Sequence, residues 1–348
     1  MHVARWVLAT LVTASVVLAA VSVRVHRGEG GGFPPPSSGG LLPFDSSLAG
    51  EPRHLATLID ADLDLVVDVA TAGDSLFVLS PTSWRVATRT RARGPFGAQP
   101  GGSPEGIGRA ARIVAADSTV YILGTERREV SRWSRSGRLL ERLPIGSPAR
   151  PLLPQDIAVH DGRVYVVAQE LERGSMEWVV LELRRDGERV EVLRAPPGAS
   201  FFTQPRIVAA ADEVLLFDPV SHARRELFSG RTHPRHDAPA WATPDSVRQQ
   251  YEASVGRLAA GTGNVPQLPD TMPSLQRATI TRTGVILTGT NPVGDALHVE
   301  AFARDGTPLG RITAEPLAPP LFLTADGVVR VAEEPRSIVF TLLPITGR

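Results

Sequence analysis

The chain has no cysteine among its 348 residues. That excludes disulfides, thiolate metal sites, cysteine-attached haem, a cysteine nucleophile and a lipid anchor through cysteine. Lysine is missing too, so apart from histidine every basic side chain is arginine. Without lysine there is no Schiff-base chemistry and no Walker-type Gly-Lys-Ser/Thr loop. Formal net charge is zero, which gives no general pull toward nucleic acid or an acidic membrane. Ser175, Ser200 and Ser246 lie outside any Gly-x-Ser-x-Gly elbow, so a serine hydrolase has no local support. Aromatics are scarce, at 5%.

Glycine (32) and proline (30) are plentiful, and 42% of residues are hydrophobic. This suits a turn-rich β protein with an aliphatic core. One phrase recurs: an apolar stretch, a turn on Asp or Gly, then a second apolar stretch. Asp74, Asp117, Asp161, Asp212, Thr283 and Asp326 mark equivalent turns, at gaps of 43, 44, 51, 71 and 43 residues. All-β units with a period in the low forties indicate a propeller. Three copies run on into a second hairpin, turning at Arg135-Ser136-Gly137, Arg185-Asp186-Gly187 and Arg304-Asp305-Gly306. That makes four strands per unit.

The expected fold is therefore all-β: a six-bladed propeller of four-stranded antiparallel blades. The last unit runs out near Leu343 with three strands, while a spare apolar stretch, His54–Ile59, precedes the first. Pairing the two would close the ring and hide a sheet edge. The 51-residue gap is assigned to a longer connection at Glu170–Glu177 and to Ala195–Ser200. The 71-residue gap carries one helical insertion within Arg231–Leu275. Its middle, Ser246–Ala260, has Val247, Tyr251, Val255 and Leu258 on one helical face.

Gly101-Gly102-Ser103-Pro104-Glu105, leading to Ile113–Asp117 and Val120–Leu123, resembles an NHL-type repeat, as does Pro154–Val159 running into Asp161–Val166. The likeness to NHL-repeat and TolB-like propeller proteins covers about Glu51 to Leu343. It implies six blades and leaves activity open. Blades one, four and six depart from it in lacking a clean second Gly turn. Lactonase-type propellers hold a divalent metal with Glu, Asn and Asp ligands. Here the only asparagines are Asn264 and Asn291, and neither starts an inner strand; that weighs against such a hydrolase.

Ahead of the propeller, Arg5 precedes an uncharged apolar run from Trp6 to Val23. Residues 1–23 read as a signal peptide or an N-terminal membrane anchor. Residues 24–50, rich in Gly, Pro and Ser, read as a flexible linker, and 51–348 as one propeller domain with its insertion at 231–275. The domain is then exported, periplasmic or extracellular, either soluble after cleavage or tethered.

Propellers bind ligands where loops enter the innermost strands. Aligned copies place Asp68, Arg112, Asp156, Arg206, Arg277 and Leu321 there. Three arginines could grip a carboxylate or phosphate; alternatively they pair with the two aspartates and fasten neighbouring blades. His233, His236 and Asp237 are metal-competent types, but their His-Pro-Arg-His-Asp spacing reads better as a solvated loop. His160 and His298 read as packing or surface residues. The expectation is a non-catalytic binding or scaffold module for a protein or a small anionic ligand, without cofactor or nucleic acid. The alternative is an extracytoplasmic, lactonase-like metal-assisted hydrolase.

Overall fold

The computed structural model describes residues 49–59, 65–98, 106–116, 118–147, 149–172, 175–195, 204–235, 241–243, 245–246, 248–249, 251–253, 268–290, 298–313 and 321–346. The apolar segment at 1–23, most of the 24–50 linker, Gly101–Glu105, Asp117, Ser200, His236, Asp237, Asn264 and Asn291 lie outside them. So does most of the expected insertion helix, including Val247, Val255 and Leu258.

The fold is a six-bladed propeller, and its first strand, β1 (Arg53–Ile59), belongs to its last blade. Blade one is β2 (Asp68–Ala72), β3 (Ser75–Leu79), β4 (Trp84–Ala87) and β5 (Ala92–Phe96). Blade two is β6 (Ala110–Ala116), β7 (Thr119–Gly124), β8 (Glu129–Ser134) and β9 (Leu139–Pro144). Blade three is β10 (Leu152–His160), β11 (Arg163–Glu172), β12 (Ser175–Leu183) and β13 (Arg189–Arg194). Blade four is β14 (Arg206–Ala209), β15 (Val214–Phe217), β16 (Arg224–Glu226) and β17 (Thr232–His233). A two-stranded ribbon, β18 (Trp241–Ala242) with β19 (Thr271–Met272), interrupts the series. Blade five is β20 (Leu275–Ile280), β21 (Ile286–Thr290), β22 (His298–Phe302) and β23 (Pro308–Thr313). Blade six is β24 (Leu321–Thr324), β25 (Gly327–Glu334) and β26 (Ser337–Pro344), completed by β1.

Every blade is a meander of antiparallel neighbours, and the tight turns have local causes. Asp161 and Gly162 both take positive φ, 49° and 70°, which the primed hairpin turn requires and which Gly and Asp tolerate at least cost. The core is six wedges, each filled from two adjacent blades. Trp84, Phe77 and Leu79 of blade one meet Ile113, Ile122 and Trp133 of blade two. The rings of Trp84 and Trp133 cross edge to face at 6.0 Å. Tyr165 and Val167 of blade three meet Ile207, Val214 and Leu216 of blade four. Strands buried on both faces explain why the inner strands read as continuous apolar runs rather than alternating ones.

Ring closure follows the expected pairing, with Ile59 opposite Ser337 and Arg53 opposite Leu342. Leu55, Ala56 and Leu58 enter the wedge with Phe340, Leu342, Val69 and Val78. Two fully buried leucines contribute about 1.5–3 kcal/mol each, a large part of a domain's net stability of about 5–15 kcal/mol.

Three expected details differ. The extra residues near Glu170–Glu177 are not a loose connection: β11 and β12 stay paired out to Glu172 opposite Ser175. Across-strand charge pairs, described below, hold this extension. Blade four has a second turn, with Gly230 at φ 72° and Glu226 N donating to Arg231 O. This turn leaves little sequence signal because the strands beside it are only three and two residues long. The outer strand of blade four therefore reaches His233, and β20 starts at Leu275, so the 231–275 bounds take in the two residues of β17 and the first of β20. Within the interruption, residues 245–246, 248–249 and 251–253 are helical.

Candidate functional site

Each inner strand starts at one face of the ring, called here the mouth. Counting pairs back from the β-turn, with the turn-closing bonds Ala210 N to Glu213 O and Thr281 N to Val285 O taken as the first pairs of blades four and five, the fifth pair in blades one to five is Asp68–Leu79, Arg112–Leu123, Asp156–Val167, Arg206–Phe217 and Arg277–Gly289. All five candidate residues thus occupy one level of the channel. In blade six Leu321 stands on the fourth pair, opposite Arg330, one place closer to the turn than its expected counterparts. In blades two, three and five a bulge immediately precedes this level, the usual device for re-aiming a side chain.

The five side chains split into a paired set and an unpaired one. Asp68 and Asp156 are buried. Each uses one carboxylate oxygen to accept from the next amide of its own strand: Val69 N at 3.0 Å and Ile157 N at 3.0 Å. The other oxygen accepts from the following blade: Ile113 N at 3.1 Å and Ile207 N at 3.2 Å. Arg112 donates through Nε to Asp156 Oδ1 at 2.7 Å and approaches Asp68 Oδ2 at 3.4 Å. Arg277 reaches over blade six, its guanidinium 5.3 Å above the Phe322 ring, to donate to Asp68 Oδ1 and Val67 O. These contacts are the blade-fastening role that the sequence left as an alternative, and they involve Arg112 and Arg277.

Arg206 differs. Among the described residues it has no ion pair, and its buried Nε has no hydrogen-bond partner. Three guanidiniums face two carboxylates at this level, leaving one positive charge. Burial draws the Arg112 guanidinium down, but Asp156 and Asp68 more than offset that and hold it above its ordinary range. Arg206 is held below its ordinary value by burial, with Arg112 and Arg277 adding repulsion that Asp156 does not cancel. Arg277 is lowered by burial as well, against the pull of Asp68. Arg112 touches two carboxylates and Arg277 one, which accounts for their opposite directions.

Of the histidine cluster only His233 lies among the described residues. His233 lies on β17, where Nε2 is 2.9 Å from Glu226 Oε1; His236 and Asp237 lie outside the described residues. Among the described residues no three His, Asp or Glu side chains group as metal ligands. His160 packs, its Nδ1 3.0 Å from Ala210 O in the next blade and its ring against Phe228.

A second polar cluster has no sequence signal, because its members come from four separated segments. His222, at φ 55°, Ser274, Glu300 and Arg235 meet between blades four and five. His222 Nε2 is 2.7 Å from Ser274 Oγ, and Arg235 Nη1 is 3.1 Å from His222 Nδ1 and 2.8 Å from Glu300 Oε2. A guanidinium can only donate. Nδ1 is therefore the acceptor, and the ring proton sits on Nε2, donated to Ser274. In a serine nucleophile the proton flow is the reverse; in this arrangement the contacts tie blade four to blade five.

No family model matches the chain, and no curated protein matches it. Solved structures do. A gluconolactonase from Xanthomonas campestris is 15% identical over 91% of this chain and 99% of its own, with a TM-score of 0.52. A candidate exported protein from Bacteroides fragilis is 9% identical over 87% and 97%, with a TM-score of 0.57. A DUF4221 family member from Bacteroides vulgatus is 8% identical over 86% and 98%, at 0.50. The likeness is one of fold. At these identities it carries no residue from one chain to another, since function on a shared fold lives in the site.

Proposed function

We propose that this propeller is a non-catalytic binding module, exported by its amino-terminal segment, that takes an anionic small molecule at the channel mouth. The NHL-type repeat phrases support the scaffold part of this reading. The observation that carries the ligand part is Arg206: a half-buried guanidinium beside two others, with an orphan Nε and a net positive charge around it. An unmatched buried donor is costly, and a bound anion would remove that cost. Carboxylate and phosphate both suit arginine's fork. The metal-hydrolase alternative is less favoured, because both mouth carboxylates already hold arginines.

Arg206 can be tested without disturbing the fastening pairs. In isothermal titration against acetate, citrate and inorganic phosphate, the parent should bind at least one anion saturably, and Arg206→Gln should weaken it at least tenfold. Absence of anion binding in the parent, or equal binding by Arg206→Gln, would overturn the reading.

A further inference from the structure

The mouth residues repeat by blade pairs. In pair one/two and pair three/four, the first blade supplies an aspartate and the second an arginine: Asp68 with Arg112, and Asp156 with Arg206. Each aspartate spans its pair, capping an amide on both blades. The arginine of pair one/two then donates its Nε forward to the aspartate of the next pair. This gives the mouth a threefold plan in its first two pairs.

Pair five/six breaks the plan. Arg277 stands at the register position of Asp68 and Asp156. It reaches across its pair partner, blade six, over Phe322, and neutralises Asp68 of blade one from the side where a blade-six arginine would have stood. Two consequences follow. Arg206 Nε, the counterpart of the Arg112 Nε that reaches Asp156, has lost its forward carboxylate, and it is this atom that lacks a partner. Ala278, whose amide shares the register of Val69 and Ile157, has no neighbouring side-chain acceptor among the described residues. That amide faces the channel, since alternate N–H groups of an edge strand point away from its partner.

We propose that the mouth holds the carboxylate of a small ligand at blade five, in place of the third aspartate. Arg206 Nε and the Ala278 amide are its donors. This deepens the anion-binding reading and rests on it: it selects a carboxylate over a phosphate, because a carboxylate fills the equivalent place in the other two pairs. Acetate is that head group by itself and is the probe.

Acetate and inorganic phosphate are titrated at matched ionic strength into the parent and into Arg206→Gln, Arg277→Gln and Arg277→Asp. Acetate should bind the parent and be weakened at least tenfold by Arg206→Gln. Arg277→Asp restores the missing carboxylate and should abolish acetate binding, whereas Arg277→Gln should retain it within about threefold, because only the former fills the gap. Equal weakening by both Arg277 variants, or phosphate binding as tightly as acetate, would overturn the inference and leave the anion site standing. If no anion binds the parent, both readings fall. Crystals grown in acetate give a check independent of how the variants fold: the carboxylate should lie within hydrogen-bond reach of Arg206 Nε, and a location elsewhere would sink the assignment.

Discussion

At the residue scale, the five mouth side chains predict opposite outcomes for two substitutions a few ångströms apart. Asp68 is buried, bound to two backbone amides and faced by Arg112 and Arg277. Replacing it by Asn strips the charge from a desolvated network and leaves two guanidiniums poorly compensated. Breaking such a network from one side costs about 3–5 kcal/mol. Arg206 makes no ion pair among the described residues, so Arg206→Gln should change stability by less than about 1 kcal/mol, in either direction. Urea unfolding of the two variants beside the parent measures the contrast. A comparable loss in both would mean that Arg206 fastens blades as Arg112 does. Register counting in the sequence brought these residues to one level, because turn-to-turn spacing is conserved inside each hairpin. It could not tell which arginine would be left over, since that depends on Arg277 crossing blade six to Asp68. That reach is a property of the closed ring.

At the element scale, blade three shows why a longer gap need not be a loop. At the extension of β11 and β12, Glu170 and Glu177 meet Glu191 and Arg194 of β13 and Arg150 just before β10. Arg150 Nη2 donates to Glu170 at 2.8 Å and to Glu191 at 2.6 Å, and Arg194 closes on Glu170, Glu177 and Glu191. From the sequence, Glu170–Glu177 reads as a longer connection, because cross-strand opposition depends on register. Side-chain hydrogen bonds from Arg150, more than burial can offset, draw the Glu170 carboxyl below its ordinary value. Arg194 does the same to Glu191. A carboxyl lowered on folding adds stability that is present above its unfolded value of about 4.3 and is lost as pH falls through the folded one. The guanidiniums are more than a third exposed, so screening limits the gain. Glu170→Gln should cost about 1–2 kcal/mol at pH 7, and the gap to the parent should narrow as the solution is acidified below pH 4.3. Chemical denaturation at both ends of that window checks the sign; a gap that widens in acid would contradict it.

At the scale of the whole molecule, strand direction fixes where the chain enters. β1 runs from Arg53, opposite Leu342, to Ile59, opposite Ser337, and leads to Asp68 at the mouth. Its start therefore lies at the far face. There Ala49 bridges Ile345, whose amide in turn faces Asp326 O, and Thr283 donates to Ile345 O, both at bottom turns of the ring. The arginine mouth and the amino-terminal attachment are thus on opposite faces. Among the described residues no helix is long and apolar enough to cross a membrane; the apolar run at 1–23 is the segment proposed to be held in one. With the full chain held in vesicles, attachment at the far face favours a mouth turned toward solvent, where a soluble ligand can reach Arg206. A chain without cysteine allows a single reporter to be placed at will. Asp74 is exposed at a far-face turn, and Arg336 is exposed at the mouth end of blade six. A dye on Asp74→Cys should be quenched by a lipid-embedded quencher more strongly than the same dye on Arg336→Cys. Stronger quenching at Arg336 would place the mouth against the bilayer, and its ligand would then have to come from the membrane surface.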